Sequence, residues 1–133
     1  MADRSSLQSY ASAALRIVTG VMFAFHGAQK ILGWFSDKPT EPVGSQLWIG
    51  GLIELACGIL VALGLFTRPA ALLASGTMAV AYFQFHWKLA FANAMFLPIK
   101  NGGDAAVLYC FVFLVFAISG AGAYSLDSRR GRL

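Results

Sequence analysis

The chain has 133 residues, of which 58% are hydrophobic and only 12% are charged, with a formal net charge of +4. Soluble domains average about 25% charged residues, so this composition excludes an ordinary soluble domain. The few charges are also unevenly placed. Glu54 is the only charge between Pro42 and Thr67, and residues 69–87 and 105–126 carry none. The sequence therefore predicts an integral membrane protein.

Four stretches are long and apolar enough for membrane helices, near residues 11–34, 46–66, 69–90 and 102–122. A helix needs about 20 mainly apolar residues to cross the hydrocarbon core. Because these stretches account for most of the chain, we expect an all-α, four-transmembrane-helix antiparallel bundle that forms one domain over residues 1–133. A cleaved signal peptide is the alternative interpretation of the first stretch, but it lacks a strongly basic start and a small-x-small cleavage site.

The distribution of basic residues predicts an orientation. In a four-span bundle both termini and the Thr67-Arg68-Pro69 turn lie on one side of the membrane. The positive-inside rule favours a cytoplasmic location for that side. Its basic residues are Arg4, Arg16, Arg68, Arg129, Arg130 and Arg132, against Lys30, Lys38, Lys88 and Lys100 on the other side. Trp34, Trp48 and Trp87 all fall at the opposite interface, where tryptophan is enriched.

Several polar residues are predicted to lie deep in the bundle. With a rise of about 1.5 Å per residue, His26, Glu54, Tyr82 and Tyr109 come within roughly 3–5 Å of the bilayer midplane. The row formed by Gly50, Glu54 and Gly58 allows close approach of another helix. An ionisable residue inside a membrane is by default a candidate functional residue. The candidates for ligand binding or proton relay are Arg16, His26, Lys30, Glu54, Tyr82, His86 and Asp104.

Some of these candidates have simpler explanations. Arg16 is close enough to the inner interface for its side chain to extend to the polar head groups. Lys30 is suited to anchor the opposite interface, and Asp104 to favour the N-terminus of the fourth helix. Glu54 is harder to explain in this way, because an acid near the midplane must be protonated, paired or in contact with water.

Other cofactors and partners find little support in the sequence. Cys57 and Cys110 form no C-x-x-C motif, and buried cysteine usually behaves as a small hydrophobic residue. A haem bound by His26 and His86 is disfavoured because their depths differ by roughly 7 Å. No ligand spacing predicts a metal site, and no phosphate-binding or nucleophile motif occurs. The basic C-terminal tail is expected to contact anionic lipid rather than nucleic acid.

Three sequence blocks cover nearly the whole chain: RIVTGVMFAFHGAQKILG, GGLIELACGILVALGLFTRPAAL and NGGDAAVLYCFVFLVFAISGAGAYSLD. Together, and in this order, they resemble the DoxX family. The resemblance implies a small four-helix protein of the bacterial inner membrane. Asp104 stands where the family more often has glutamate. The residues that match the family pattern are Arg16, Gly20, Gly27, Lys30, Glu54, Gly58, Gly64, Arg68, Asn101, Gly102 and Gly103.

The resemblance also implies redox functions. Family members are linked to quinone-dependent oxidation, as in the small subunits of thiosulfate:quinone oxidoreductase. Others belong to a membrane oxidoreductase complex with superoxide dismutase and a thiosulfate sulfurtransferase, which acts in oxidative-stress and thiol metabolism. The leading hypothesis is therefore a membrane subunit of a redox system that binds a quinone or a small reductant within the bundle. In this hypothesis His26 donates to the head group and Glu54 relays protons, while Lys30 either holds Glu54 ionised or stabilises a quinone oxygen.

Two other functions remain open at this point. The chain could be a non-catalytic scaffold that recruits a partner oxidoreductase, with Arg129, Arg130 and Arg132 as its docking surface. A small-molecule transporter is less favoured, because no repeat of interrupted helices is present. The expected partners are the lipid bilayer, other subunits of a redox complex and a second copy of the chain.

Overall fold

The computed structural model describes residues 3–131, and this part of the chain consists of helices and their connections and contains no strand. A π-helix at Tyr82–Trp87 extends the third helix, and a 3₁₀ turn occurs at Ala92–Ala94. The α-helices are α1 Arg4–Leu32, α2 Gln46–Leu63, α3 Thr67–Ala81, α4 Pro98–Asn101, α5 Asp104–Ser119 and α6 Leu126–Arg129. The prediction of an all-α fold is confirmed.

Two helices are long and apolar enough to cross a membrane on their own. They are α1, with 29 residues, and α2, with 18 residues. The apolar helix α5 has 16 residues and a length of about 24 Å, which is shorter than the hydrocarbon core of about 30 Å. Helix α3 has 15 residues and continues directly into the six-residue π-helix. The four-span bundle stays a prediction, with two spans supported by length and composition.

Glycines hold α1 and α2 together as a tight hairpin. A Cβ atom added to Gly58 would lie 2.6 Å from the carbonyl oxygen of Gly20, and one added to Gly20 would lie equally close to that of Gly58. Gly27 meets the backbone of Gly51 in the same way. Only glycine allows such close helix approach. Gly58 thus allows the close approach of another helix, as predicted. Gly51 rather than Gly50 faces α1, since Gly50 has open space around it.

The apolar core lies where the two helical hairpins meet. Phe23 of α1 packs against Phe113 of α5, with 4.6 Å between the ring centroids, and both side chains are buried. Helices α3 and α5 contribute further small and aromatic core residues, among them Ala71, Ala74 and Phe116. Apart from the aromatic contacts, α1 and α5 touch little. The molecule therefore consists of two well-packed helix pairs joined by a smaller interface.

Arg16 has a buried side chain that forms hydrogen bonds with the protein backbone. Its guanidinium is fully buried, with an exposed fraction of 0%. It donates hydrogen bonds of 2.7–3.1 Å to the carbonyl oxygens of Val61, Ala62, Ala121 and Tyr124, and a fifth carbonyl, of Ala123, lies at 3.5 Å. The carbonyls of Val61 and Ala62 end α2, where the helix dipole favours a cation. Arg16 thus ties α1 to the end of α2 and to the segment that follows α5.

Asp127 secures the C-terminal segment to the start of α3. Its carboxylate accepts hydrogen bonds from the backbone N–H groups of Phe66 (2.9 Å) and Thr67 (3.0 Å), and its own N–H donates to the carbonyl of Gly64. Burial raises the pKa of Asp127, but the hydrogen bonds from Thr67 and Phe66 and the charge of Arg130 outweigh this effect and lower the pKa overall. The acid therefore caps α3 from a distant part of the chain.

The basic tail folds back onto the same end of the bundle. Arg130 lies 5.3 Å above the ring of Phe66, in a cation–π geometry. Arg129 is exposed to solvent. Arg132, the third residue of the predicted docking surface, lies outside the described residues.

A candidate ligand groove between α2 and α3

A long groove of about 900 Å³ lies between α2 and α3. It runs from Pro69, at the start of α3, to His86 in the π-helix, a length of about 25 Å along the helix axis. Apolar side chains line most of it, including Leu72, Leu73 and Val80, which are exposed on the surface of the bundle. Polar side chains gather towards the end that carries the α1–α2 loop: Lys30, Gln46, Glu54 and His86.

An ion pair between Lys30 and Glu54 forms the polar centre of this groove. Lys30 Nζ lies 2.6 Å from Glu54 Oε1, and the side chains are 31% and 4% exposed, respectively. Gly51 makes this contact possible: a Cβ atom there would lie 2.8 Å from Cβ of Lys30, so the lysine stem crosses α2 at this glycine. The expected pairing of Glu54 within the membrane is thus present, with the partner on the neighbouring helix. Charge-assisted hydrogen bonds of this kind are short and strong.

Glu54 retains unused hydrogen-bonding capacity. Its second oxygen, Oε2, is buried and has no partner among the described residues. A carboxylate can accept about four hydrogen bonds, so the bond from Lys30 uses only part of that capacity. Lys30 has further N–H groups, since an ammonium group carries three donors. The pair can therefore bind another polar group without being broken.

The π-helix places His86 in the groove. A π-helix turns less per residue than an α-helix, which changes the direction of side chains after Ala81, and such segments often occur at functional sites. His86 is half-buried, and its Nδ1 atom lies 3.4 Å from the carbonyl oxygen of Asn101. At the same end of the groove, Gln46 and Gln84 exchange two amide hydrogen bonds of 2.7 and 2.9 Å. This amide pair joins α2 to the π-helix.

His26 lies outside the groove. It is exposed, and its ring makes an edge contact with Tyr109 of α5 at a centroid distance of 5.9 Å. No hydrogen bond joins His26 to Glu54 within residues 3–131. His26 and Glu54, which are predicted to lie at a similar depth, therefore form no direct hydrogen bond with each other. Tyr109, which the depth argument placed at this level but which was not among the candidate residues, lies between the two regions.

Tyr82 forms hydrogen bonds in the connection between the π-helix and α5. Its hydroxyl donates to the carbonyl of Phe96 at 2.5 Å and accepts a hydrogen bond from Asn101 Nδ2 at 3.1 Å. Asn101 also binds the carbonyl of Met95 and the N–H of Gly103. These bonds brace the connection between the π-helix and α5. The hydroxyl of Tyr82 is therefore occupied by the protein itself.

Asp104 is the first residue of α5 and is exposed. No salt bridge to it occurs in the described part of the chain. A carboxylate in the first turn of a helix interacts favourably with the helix dipole. The structure therefore favours the simpler interpretation of this residue. Of the seven candidates, the groove brings together Lys30, Glu54 and His86 and leaves out the other four.

The fold and the groove define a class: a helical membrane protein with ionisable side chains at one end of an apolar groove on its surface. The model of the DoxX family matches residues 11–87, which is more than half of the chain. The chain therefore belongs to the DoxX family.

Two relatives extend the likeness over most of the chain. A Haemophilus influenzae protein described as uncharacterized is 41% identical over 136 aligned positions, with 97% of each chain covered. The Escherichia coli protein described as inner membrane protein YqjF is 30% identical over 120 aligned positions, which cover 84% of this chain and 85% of the relative. No solved structure matches the chain. The family and these relatives support a location in a membrane.

Proposed function

We propose that the protein is a subunit of a quinone-linked redox system in the bacterial inner membrane, and that the groove between α2 and α3 binds the quinone. The observation that carries this proposal is the Lys30–Glu54 ion pair, which lies in a groove lined mostly by apolar side chains. A quinone has the same division into a polar head group and a long apolar tail. The exposed leucines of the groove would face lipid, so the ligand can enter sideways from the bilayer.

The size and chemistry of the groove suit such a ligand. Small-molecule sites usually have volumes of about 300–1,000 Å³ with a few well-placed polar groups, and this groove has about 900 Å³. Lys30 can donate a hydrogen bond to one quinone carbonyl while it keeps its bond to Glu54. The ring of His86 lies at the same end of the groove. The tail would extend along Leu72 and Leu73 towards Pro69.

Reduction of a quinone to a quinol requires electrons and protons together. Glu54 and His86 are groups that can exchange protons with a bound head group. The electrons would come from a partner subunit that oxidises thiosulfate, a thiol or a product of oxidative stress, as the resemblance to quinone-linked complexes implies. The chain would then supply the quinone site and the proton exchange, with the oxidation of the donor on the partner.

The proposed topology has four spans and cytoplasmic termini. The exposed Arg4, Arg68 and Arg129 at the terminal end support this orientation under the positive-inside rule. Labelling of single cysteines introduced at Arg129 and at Lys38 in intact cells tests it. A membrane-impermeant reagent should modify position 38 only, and modification of position 129 would contradict the orientation.

Quinone titration of the purified protein tests the binding site. We expect decylubiquinone to quench tryptophan fluorescence in a saturable way, and Lys30→Gln and Glu54→Gln to weaken binding about 10–100-fold, because each loses a charge-assisted hydrogen bond of about 1.5–3 kcal/mol. Lys100→Gln is the matched control, since Lys100 is exposed and lies outside the groove. Equal affinity in all variants would overturn the site.

The scaffold hypothesis gives a different outcome in the same preparation. A scaffold would bind no quinone, but would co-purify with a partner in a manner that depends on the exposed basic residue Arg129. The oligomeric state, measured by light scattering with correction for detergent, shows whether a second copy is part of the assembly.

A further inference from the structure

The segment that connects the π-helix to α5 exposes a continuous run of apolar side chains. Between Lys88 and Lys100 the sequence carries no charge. Phe91 is 70% exposed and Ile99 is 82% exposed, and the large side chains of Leu89, Phe96 and Leu97 are exposed as well. A continuous exposed apolar surface marks a contact with a membrane or with another protein. Residues 88–100 are called the apolar connection below.

The other connection at this end of the molecule is polar. The amide pair of Gln46 and Gln84 joins the start of α2 to the π-helix, so the α1–α2 loop and the apolar connection lie at the same end. The α1–α2 loop contains Asp37, Lys38 and Glu41 within residues 33–45. Two connections at one end of the bundle therefore differ in the surroundings that suit them, one suited to water and the other to an apolar medium.

The backbone of the apolar connection is prepared for such a medium. Lipid offers no hydrogen bonds, so irregular backbone beside it needs partners within the protein. Three side chains donate to carbonyls of the connection: Trp87 Nε1 to Ala90 at 3.0 Å, Asn101 Nδ2 to Met95 at 2.9 Å and the Tyr82 hydroxyl to Phe96. Four backbone N–H groups also donate to the carbonyl three residues earlier, in a series of tight turns. These bonds lower the cost of placing irregular backbone next to lipid.

The ends of the connection match the chemistry of lipid head groups. Lys88 and Lys100 are exposed, one at each end. A lysine can extend its ammonium group to the phosphates while its apolar stem stays in contact with the acyl chains. Trp87, directly before Lys88, is of the residue type enriched at the membrane interface. Asn93 and Asp104 are exposed polar residues on either side of the segment's second half, so only a shallow insertion suits this sequence.

We propose that residues 89–99 insert their apolar side chains into the lipid leaflet at the end that carries the α1–α2 loop, with Lys88 and Lys100 among the phosphate groups. Interfacial segments of this kind reach about 5–10 Å into the boundary between head groups and acyl chains. The partner is lipid because this surface continues the exposed apolar surface of the neighbouring helices, at Phe83 and Leu108. The insertion is independent of the proposed quinone site, since residues 88–100 do not line the groove.

Site-directed spin labelling in liposomes of phosphatidylethanolamine and phosphatidylglycerol tests the insertion. Cys57 and Cys110 are first replaced by alanine, so that only an introduced thiol carries the label. The test variants are Phe91→Cys and Ile99→Cys. Collisions of the label with oxygen, which concentrates in lipid, and with a water-soluble nickel chelate are measured separately. We expect labels at both positions to collide with oxygen and to be largely shielded from the nickel chelate.

Two further variants calibrate the measurement. Lys38→Cys reports water, because Lys38 is an exposed charged residue of the α1–α2 loop. Leu108→Cys reports lipid, because Leu108 is an exposed apolar residue of α5. Nickel collisions at positions 91 and 99 as frequent as those at position 38 would overturn the insertion, because the connection then lies in water. Few collisions with either reagent would overturn it as well, because a partner protein or a second copy then covers the connection.

Photolabelling of the unmodified protein decides the question without any variant. A small apolar diazirine dissolved in the same liposomes forms adducts with residues that face lipid, and mass spectrometry locates them. We expect adducts in residues 89–99 and in α5, and none in residues 36–42 of the α1–α2 loop. Adducts in α5 without adducts in residues 89–99 would show that the connection does not enter the leaflet.

Discussion

Replacement of Arg16 by methionine is expected to destabilise the protein strongly. Methionine keeps an unbranched apolar stem and removes the guanidinium, which makes four hydrogen bonds of 2.7–3.1 Å to backbone carbonyls. Hydrogen bonds to a charged group contribute about 1.5–3 kcal/mol each, so the gross loss is about 6–12 kcal/mol. The variant no longer buries a charge, and carbonyls at the end of the bundle regain contact with water, which offsets part of this loss. The expected decrease in the free energy of unfolding is about 3–5 kcal/mol.

Two further variants separate charge from geometry. Arg16→Lys keeps the positive charge but presents its donors from one nitrogen, so it cannot bind the ends of α2 and of the segment after α5 together. We expect it to lose about 2–3 kcal/mol. Arg68→Met removes an exposed arginine at the same end of the molecule and should change stability by less than about 0.5 kcal/mol.

Unfolding by urea in detergent micelles, followed by far-UV circular dichroism, measures these differences. The order of stability should be wild type and Arg68→Met, then Arg16→Lys, then Arg16→Met. If Arg16→Met lost less than about 1 kcal/mol, the carbonyl contacts would contribute little and the reasoning would be refuted. Equal losses for Arg16→Lys and Arg68→Met would show that the geometry of the guanidinium is unimportant.

Three other predictions concern packing, pH and the loop after α3. Gly58→Ala should lose about 1–3 kcal/mol in the same unfolding assay, because its Cβ would meet the backbone of α1, whereas Gly50→Ala, in open space, should be neutral or stabilising. The pKa of Asp127 is lowered in the folded protein, so its stabilisation is complete above about pH 4 and is lost as the pH falls through the folded value. Asp127→Asn should therefore be less stable than wild type at neutral pH, and a difference that persisted below the folded pKa would contradict this. Tyr82→Phe should speed hydrogen exchange in residues 88–97 with no change in quinone affinity, and unchanged exchange would show that the hydroxyl does not brace the loop.

The sequence was sufficient to predict the helices and to identify Glu54 as a residue that needs a partner. Stretches with at most one charge between breakers such as Pro42 and Pro69 predicted α2, α3 and α5, because burial in a membrane leaves few other options. An acid in such a stretch requires a partner, and the structure supplies it in Lys30. These predictions depend on how well each side chain is solvated in the membrane interior, which the residue type alone determines.

Several contacts of the candidate residues have no pattern along the sequence that would predict them. The partners of Arg16 are backbone carbonyls, one of which belongs to a residue 108 positions away, and any residue type could provide them. Tyr82 and Tyr109 have nearly the same predicted depth, but the hydroxyl of Tyr82 donates a hydrogen bond to the carbonyl of Phe96, whereas that of Tyr109 has no partner within the described residues. Depth alone does not predict this difference.

The contacts of Arg16 also order the events of biosynthesis. Arg16 is synthesised 105 residues before Ala121 and 108 residues before Tyr124, whose carbonyls it binds. During translation α1 therefore carries a charge whose final partners do not yet exist, and the growing chain must keep this charge at a lipid head group or in water. Arg16 can complete its hydrogen bonds only after the segment that follows α5 has been synthesised. Changes in that segment thus act on the assembly of α1.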